Sequence, residues 1–289
     1  MDFRTDLALE RHELLHGSPP EGVENKQYTR YGIKLTKIRI TDIHGEKKLG
    51  KPQGTYITAE FPALALSSPV DDNIIYVIAE ELKTLLPKKG TILVVGLGNT
   101  EITPDAVGPK SISLVLATRH LKQELVESVG LGSLRPVAAT APGVLGKTGV
   151  ETAESVKGIA EAVKPAAVIV VDALAARRLS RLGTTLQMSD TGISPGSGVG
   201  NARNAITKQT IGIPVISMGI PTVVDAETLV TDLTGQSITA ENQDSRKMII
   251  TPREIDLVVD RAAKLIGLSI NKALQPHLSI EEIMMLTGN

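Results

Sequence analysis

The chain contains no cysteine and no tryptophan among its 289 residues, and only two phenylalanines and four tyrosines. Without thiols it can form no disulfide, iron–sulfur cluster, Cys-ligated zinc site or cysteine nucleophile. With aromatics at 2%, the core must be assembled from Ile, Val, Leu and Ala, and a base-stacking platform for single-stranded nucleic acid is hard to build. An excess of charge of either sign is missing too. Lys+Arg is 31 against 32 Asp+Glu, a formal net charge of -1, so no global field draws in nucleic acid or an anionic membrane. No apolar run approaches the ~20 residues that a bilayer-crossing helix requires, and Met1–Gly17 lacks a signal-peptide core. The expectations are a cytoplasmic location, no direct nucleic-acid partner and no membrane. What is present suits a folded globular chain: 42% apolar and 22% charged residues, long enough to bury roughly 75% of its unfolded surface.

Patterning along the chain predicts an α/β fold. Leu35–Thr41 alternates apolar and polar residues at period two and Thr55–Phe61 is similar, as half-buried strands do. Asp71–Leu86 is amphipathic at helical period, with acidic residues at its start and Pro87 beyond its end. Three continuous apolar runs follow, Thr91–Val95, Ala166–Val171 and Pro214–Ser217, with a shorter strand candidate at Pro136–Thr140. Such runs suit strands buried on both faces of a parallel sheet. Helices are predicted from Asp105 to about Glu127, over Glu151–Val163, over Glu254–Ile270 and near Ser279–Leu286. Alternating strands and helices imply a doubly wound, largely parallel sheet. Residues 7–289 read as one domain, with a possible insertion in the polar stretch 234–251. In this architecture ligands bind beyond the carboxyl ends of the strands, at a switch in strand order.

Four constellations could carry chemistry. Asp105 sits in a loop-to-helix turn after one buried run, and Asp172 closes another. On neighbouring strands the two carboxylates would share one crevice, where they cannot both ionise easily; one then activates a water while the other donates a proton. Asp172, following a buried strand, suits the acid. The plainer alternative is that each caps a helix or strand end. Ala141–Thr148 fits a relaxed phosphate-loop pattern completed by Lys147, and Val168–Asp172 could pass for a magnesium-holding strand, which keeps an ATPase open. Against it, Ala stands where the loop normally starts with Gly, and Pro142 removes an amide. Ser189–Gly192 contains the Asp-Thr-Gly tripeptide of nearly all-β aspartic proteases, on a chain that is not all-β, so Asp190 reads as a strand end. Ser194–Gly200 reads as a flexible loop over a site, or as an anion-binding nest. The five histidines, His12, His16, His44, His120 and His277, lie away from the buried runs. No metal and no cofactor is expected.

Several segments resemble the spore germination proteases of endospore-forming bacteria: Arg4–Glu10, Val95–Pro109, Ala141–Ser155, Val171–Arg181 and Ser189–Asn201. The resemblance implies an endopeptidase that degrades small acid-soluble spore proteins in the germinating spore. The fold would resemble that of hydrogenase maturation proteases, and the assembly would be a homotetramer in the spore core. It places the proposed catalytic aspartates on Asp105 and Asp172. It also implies a self-processing zymogen that cuts after Glu or Asp and before a hydrophobic residue followed by Ala. Asp6-Leu7-Ala8 matches that pattern, so autoprocessing is expected between Asp6 and Leu7, with residues 1–6 as propeptide. The family's acidic residue four places before the cut is replaced here by Phe3. Acidic substrates need a cationic subsite, for which Arg177, Arg178, Arg181 and Lys147 are the candidates. A catalytically inactive spore-protein binder on the same fold is the remaining alternative.

Overall fold

A computed structural model describes residues 4–15, 20–66, 70–122, 131–196, 198, 200, 203–235 and 248–288. Its centre is a mixed sheet with nine strands among the described residues. They are β1 (Val23–Arg30), β2 (Ile33–Ile40), β3 (Gly54–Glu60), β4 (Ile92–Gly96), β5 (Val137–Thr140), β6 (Ala167–Ala176), β7 (Thr185–Ser189), β8 (Val215–Asp225) and β9 (Ile249–Ile250). The order is β1-β2-β3-β7-β8-β6-β4-β5, with β9 pairing β8. One half, β5-β4-β6-β8, is parallel. The other, β1-β2-β3-β7, is antiparallel and joins the first through β7–β8. The sheet is therefore parallel over one half only, where a largely parallel sheet is predicted. The difference lies in β1 and β7, whose sequences carry no long apolar run. Tyr31-Gly32 closes the β1–β2 hairpin with both residues at positive φ (48° and 78°), the backbone that a tight two-residue hairpin needs.

The parallel half carries helices on both faces because its strands are apolar on both. Ile92, Val94, Ile169, Val171, Ile216 and Met218 face a large core shared with α3 (Asp72–Leu85) and α9 (Ile255–Leu274). Leu93, Val95, Val168, Val170 and Val215 face a smaller one with Val156 and Ala160 of α6 (Thr152–Val163). The remaining described helices are α1 (Ala8–Glu13), α2 (Ile43–Leu49), α4 (Val107–Ile112), α5 (Leu145–Thr148), α7 (Lys208–Ile211), α8 (Ala226–Thr234) and α10 (Ile280–Thr287). None is long and apolar enough to cross a membrane.

Two expectations need correction. The helix predicted from Asp105 runs only over Val107–Ile112. Past it the buried Asn271 captures the chain, its side-chain carbonyl accepting from the Leu116 amide (2.8 Å) and its amide donating to the Leu114 carbonyl (2.7 Å). Residues 123–127 of that prediction lie outside the described residues, as do 236–247 of the possible insertion. Second, Asp172 does not close its strand. β6 continues to Ala176, because β8 also runs on and pairs with it up to Val224, with an irregularity at Leu174/Ala175.

Candidate active site

The parallel strands stand in the chain order second, first, third, fourth, so the direction of winding reverses between β4 and β6. That seam is where an open α/β sheet leaves a crevice. β4 ends at Gly96, opposite Val171, and Asp172 is the next residue of β6, just beyond the end of its neighbour. The chain leaves β4 through a tight loop into a 3-10 turn at Thr103–Asp105. Gly98 has φ +113°, and a Cβ there would overlap the Asp105 carbonyl oxygen. Gly108 lets the start of α4 press against the backbone of Leu97 and Val171. The Thr222 hydroxyl of β8 donates to the Pro104 carbonyl (2.8 Å) and ties the turn to the sheet. Asp105 and Asp172 thereby line one cavity of about 310 Å³, with Leu97, Pro104 and Leu174 among its apolar walls.

Both carboxyls are shifted upward. Asp172 is 6% exposed. Burial raises its pKa well above the ordinary aspartate value, and the negative charges of Asp105 and Asp6 add to the rise; one amide, Ala173 N–H at 2.9 Å, opposes it. Asp105 is raised by burial alone, against a hydrogen bond from the Asn99 amide (2.8 Å). Asp172 is buried and Asp105 only half-buried, so of two carboxyls that do not easily ionise together Asp172 is the one whose proton burial holds harder.

The third carboxylate, Asp6, belongs to the N-terminal segment, which is seated in the same crevice. The Asp6 amide donates to the Ala175 carbonyl (2.9 Å), and the Ala175 amide donates to Asp6 Oδ2 (2.8 Å). Gln187 of β7 clasps the next peptide units. Its Nε2 donates to the Asp6 carbonyl (2.9 Å), and its Oε1 accepts from the Ala8 amide (2.7 Å). Leu7 is 0% exposed, packed with Leu174, Ala176, Leu182 and Val224. The Thr5 hydroxyl accepts from the Leu7 amide (3.1 Å) and donates to Glu10. Glu10, also 0% exposed, accepts from the Arg177 and Arg178 amides (2.7 and 3.0 Å). The Asp6–Leu7 bond thus lies at the crevice. Met1–Phe3 of the expected propeptide lie outside the described residues.

The three arginines expected to form a cationic subsite are not brought to the crevice. Arg177 pairs with Asp232 (3.2 Å), Arg178 with Glu13 (3.3 Å), and Arg181 with Glu13 (2.8 Å) and Glu60. Their charges balance acidic residues of distant segments, which a local cluster of arginines does not reveal. Lys147 pairs with Glu101 at the surface, and α5, which forms the second half of the would-be phosphate loop, is only four residues long. Asp190 Oδ1 accepts from the Thr55 amide (2.7 Å), joining β7 to β3. The Ser194–Gly200 loop contributes Pro195, Gly196 and Gly198 to the Asp105–Asp172 cavity. Gln187 was not singled out from the sequence; its one signal is an amide between the apolar Leu186 and Met188 of the strand TLQMS. Among the described residues no group of three or more His, Asp or Glu side chains is placed to hold a metal ion; His16 lies outside them.

A family model described as germination protease matches residues 6–240. The germination protease of Caldanaerobacter subterraneus subsp. tengcongensis is 43% identical, over 99% of this chain and 98% of that one. That of Clostridium tetani is 39% identical over 98% of both. Among solved structures, the NiFe hydrogenase maturation protease HycI from Thermococcus kodakarensis aligns with 66% of this chain and 98% of its own, at 18% identity and a TM-score of 0.35. The fold assignment rests on the strand order and not on that likeness.

Proposed function

The chain belongs to the germination protease family, and on that premise we propose that it is an aspartic-type endopeptidase whose Asp105–Asp172 pair hydrolyses peptide bonds of small acid-soluble spore proteins. The observation that carries the reading is the pair itself: two carboxyls at the winding switch, both raised and one above the other. Ionised Asp105 takes a proton from a water as that water attacks the substrate carbonyl carbon, and Asp172 gives its proton to the carbonyl oxygen. As the tetrahedral diol collapses, Asp105 passes its proton to the departing nitrogen and Asp172 recovers one from a diol hydroxyl. Both groups return to their starting states.

The same proposal takes the chain to be a self-processing zymogen. Asp6 lines the crevice that a substrate would use, and Gln187 grips both sides of Leu7. Cutting Asp6–Leu7 releases the occupant. Cleavage after Glu or Asp, a homotetrameric assembly and action in the spore core complete the proposal.

Intact-mass measurement after incubation at mildly acidic pH tests it on wild type, Asp105→Asn and Asp172→Asn. Loss of residues 1–6 is expected in wild type alone. Loss in all three would assign the cleavage to some other catalytic set. Light scattering reads the tetramer.

A further inference from the structure

A second cavity, of about 450 Å³, opens on the other side of the N-terminal segment, and Asp6 and Leu174 line both. Its character differs from that of the first. Three cations line it, Arg4, Arg11 and Lys51, together with hydroxyls such as those of Tyr56 and Ser189. Among the described residues that line it, Asp6 is the one carboxylate. Arg4 is engaged elsewhere, with Asp225 (3.1 Å) and Glu227 (3.8 Å), and lies on the leaving side of the Asp6–Leu7 bond. Lys51 follows Gly50, whose left-handed φ of 64° ends α2 and turns the chain toward the cavity. Burial lowers the Lys51 pKa, Asp6 works against that lowering, and Arg11 reinforces it. A desolvated ammonium beside a second cation is costly without an anion, and here the anion is the side chain just before the proposed cut.

We infer that this cavity is the subsite for an acidic side chain on the N-terminal side of the cleaved bond, with Lys51 and Arg11 as the residues that recognise its carboxylate. The inference rests on the peptidase reading of the adjoining crevice. Once residues 1–6 depart, Arg11 and Lys51 remain while Asp6 does not, so the cavity keeps its positive charge and loses its anion. An aspartate or glutamate of an incoming chain restores the balance that Asp6 supplies in the uncut protein, and a neutral side chain does not.

The test has two arms on the full chain. In Asp6→Gly, melting curves are recorded with acetate, with chloride at equal ionic strength, and with acetamide; Asp6→Ala serves if glycine loosens the segment. Acetate, the bare form of the missing side chain, is expected to raise the melting temperature above both controls, and adding Lys51→Met is expected to abolish the gain. In the second arm, self-cleavage is followed by intact mass in an otherwise wild-type chain. Lys51→Met is expected to slow it roughly ten- to a hundred-fold, the worth of one charge-assisted hydrogen bond, with Lys51→Arg restoring most of the rate. Acetate no better than its controls, or cleavage indifferent to Lys51→Met, overturns the subsite even where the chain cleaves itself. Lys51-dependent acetate binding in a chain that never cleaves shows that the cavity takes a carboxylate, but removes the peptidase reading and with it the cavity's role beside a cleaved bond.

Discussion

Replacing Asp172 by asparagine is expected to stabilise the fold at neutral pH while abolishing activity. The side chain is 6% exposed and accepts one hydrogen bond, from the Ala173 amide at 2.9 Å. Its neighbours Asp105 and Asp6 are themselves acidic, and burial with their charge raises its pKa well above the ordinary value. In the unfolded chain the same group titrates near the reference of about 3.9. Between that value and the folded midpoint, the native state holds a proton that the unfolded state has lost. Stability from this group is therefore complete below about pH 4 and falls as pH rises through the window, at about 1.4 kcal/mol per pH unit. Asparagine has the same shape, keeps the acceptor for Ala173, and offers an N–H toward the two carboxylates. It has no charge to form, so the variant escapes the fall.

The difference in stability between Asp172→Asn and wild type should accordingly open near pH 4, grow with pH and level off above the Asp172 midpoint. For a domain of this size each 1.4 kcal/mol moves the melting temperature by about 2–3 °C. Melting curves of both proteins from pH 4 to 7.5 measure it. A difference that stays constant with pH, or a variant less stable than wild type at pH 7, would refute the claim that Asp172 is buried with its proton.

Three further outcomes follow. The rate of self-cleavage should be bell-shaped in pH, rising as Asp105 ionises and falling as Asp172 loses its proton; a profile flat from pH 4 to 8 by intact mass excludes the pair. Gly98→Ala should remove cleavage and cost about 1–3 kcal/mol, because φ is +113° and the new Cβ meets the Asp105 carbonyl; a variant that melts and cleaves like wild type refutes the role given to that turn. Lys147→Ala should change stability by no more than about 0.5 kcal/mol, since its partner Glu101 is a surface residue. Calorimetry should find no magnesium–ATP binding in either protein, and binding lost on the substitution would revive the ATPase reading.

How much of this was legible in the sequence depends on how far apart the interacting residues lie. TILVV and AAVIVV declare buried strands by themselves, and the strand-end rule then picks out Asp105 and Asp172, which the structure places in one cavity. The helix caps are equally local: Asp71 accepts from the Asn73 amide, and Ser279 with Glu282 forms a capping box. The antiparallel half was harder. β7 is short, and it is buried because β3 and β8 flank it, which no window of β7 can show. Gln187 acquires its meaning from Asp6 and Ala8, some 180 positions earlier. Arg177, Arg178 and Arg181 look like an exposed basic cluster until Glu10, Glu13, Glu60 and Asp232 arrive from three other segments. Lys51 carried no signal at all, since a lysine after a helix-ending glycine is common.

The N-terminal segment divides its contacts at one bond. On the Asp6 side lie those that fill the crevice: the two hydrogen bonds to Ala175, the Gln187 bond to the Asp6 carbonyl, and the carboxylate between the two cavities. On the Leu7 side lie those that hold the sheet: the Leu7 side chain among Leu174, Ala176, Leu182 and Val224, and the Glu10 carboxylate on the amides of Arg177 and Arg178, directly after β6. Hydrolysis of Asp6–Leu7 would remove the first set, at about 0.5–1.5 kcal/mol for each net hydrogen bond, and leave the second in place. The strand that carries Asp172 would keep its anchors at the moment the crevice empties. A cut one residue later would take Leu7 with it and leave a cavity in that cluster, and a cut one residue earlier would leave Asp6 still paired with Ala175. Of these three bonds, Asp6–Leu7 alone opens the site without loosening the strand on which it depends.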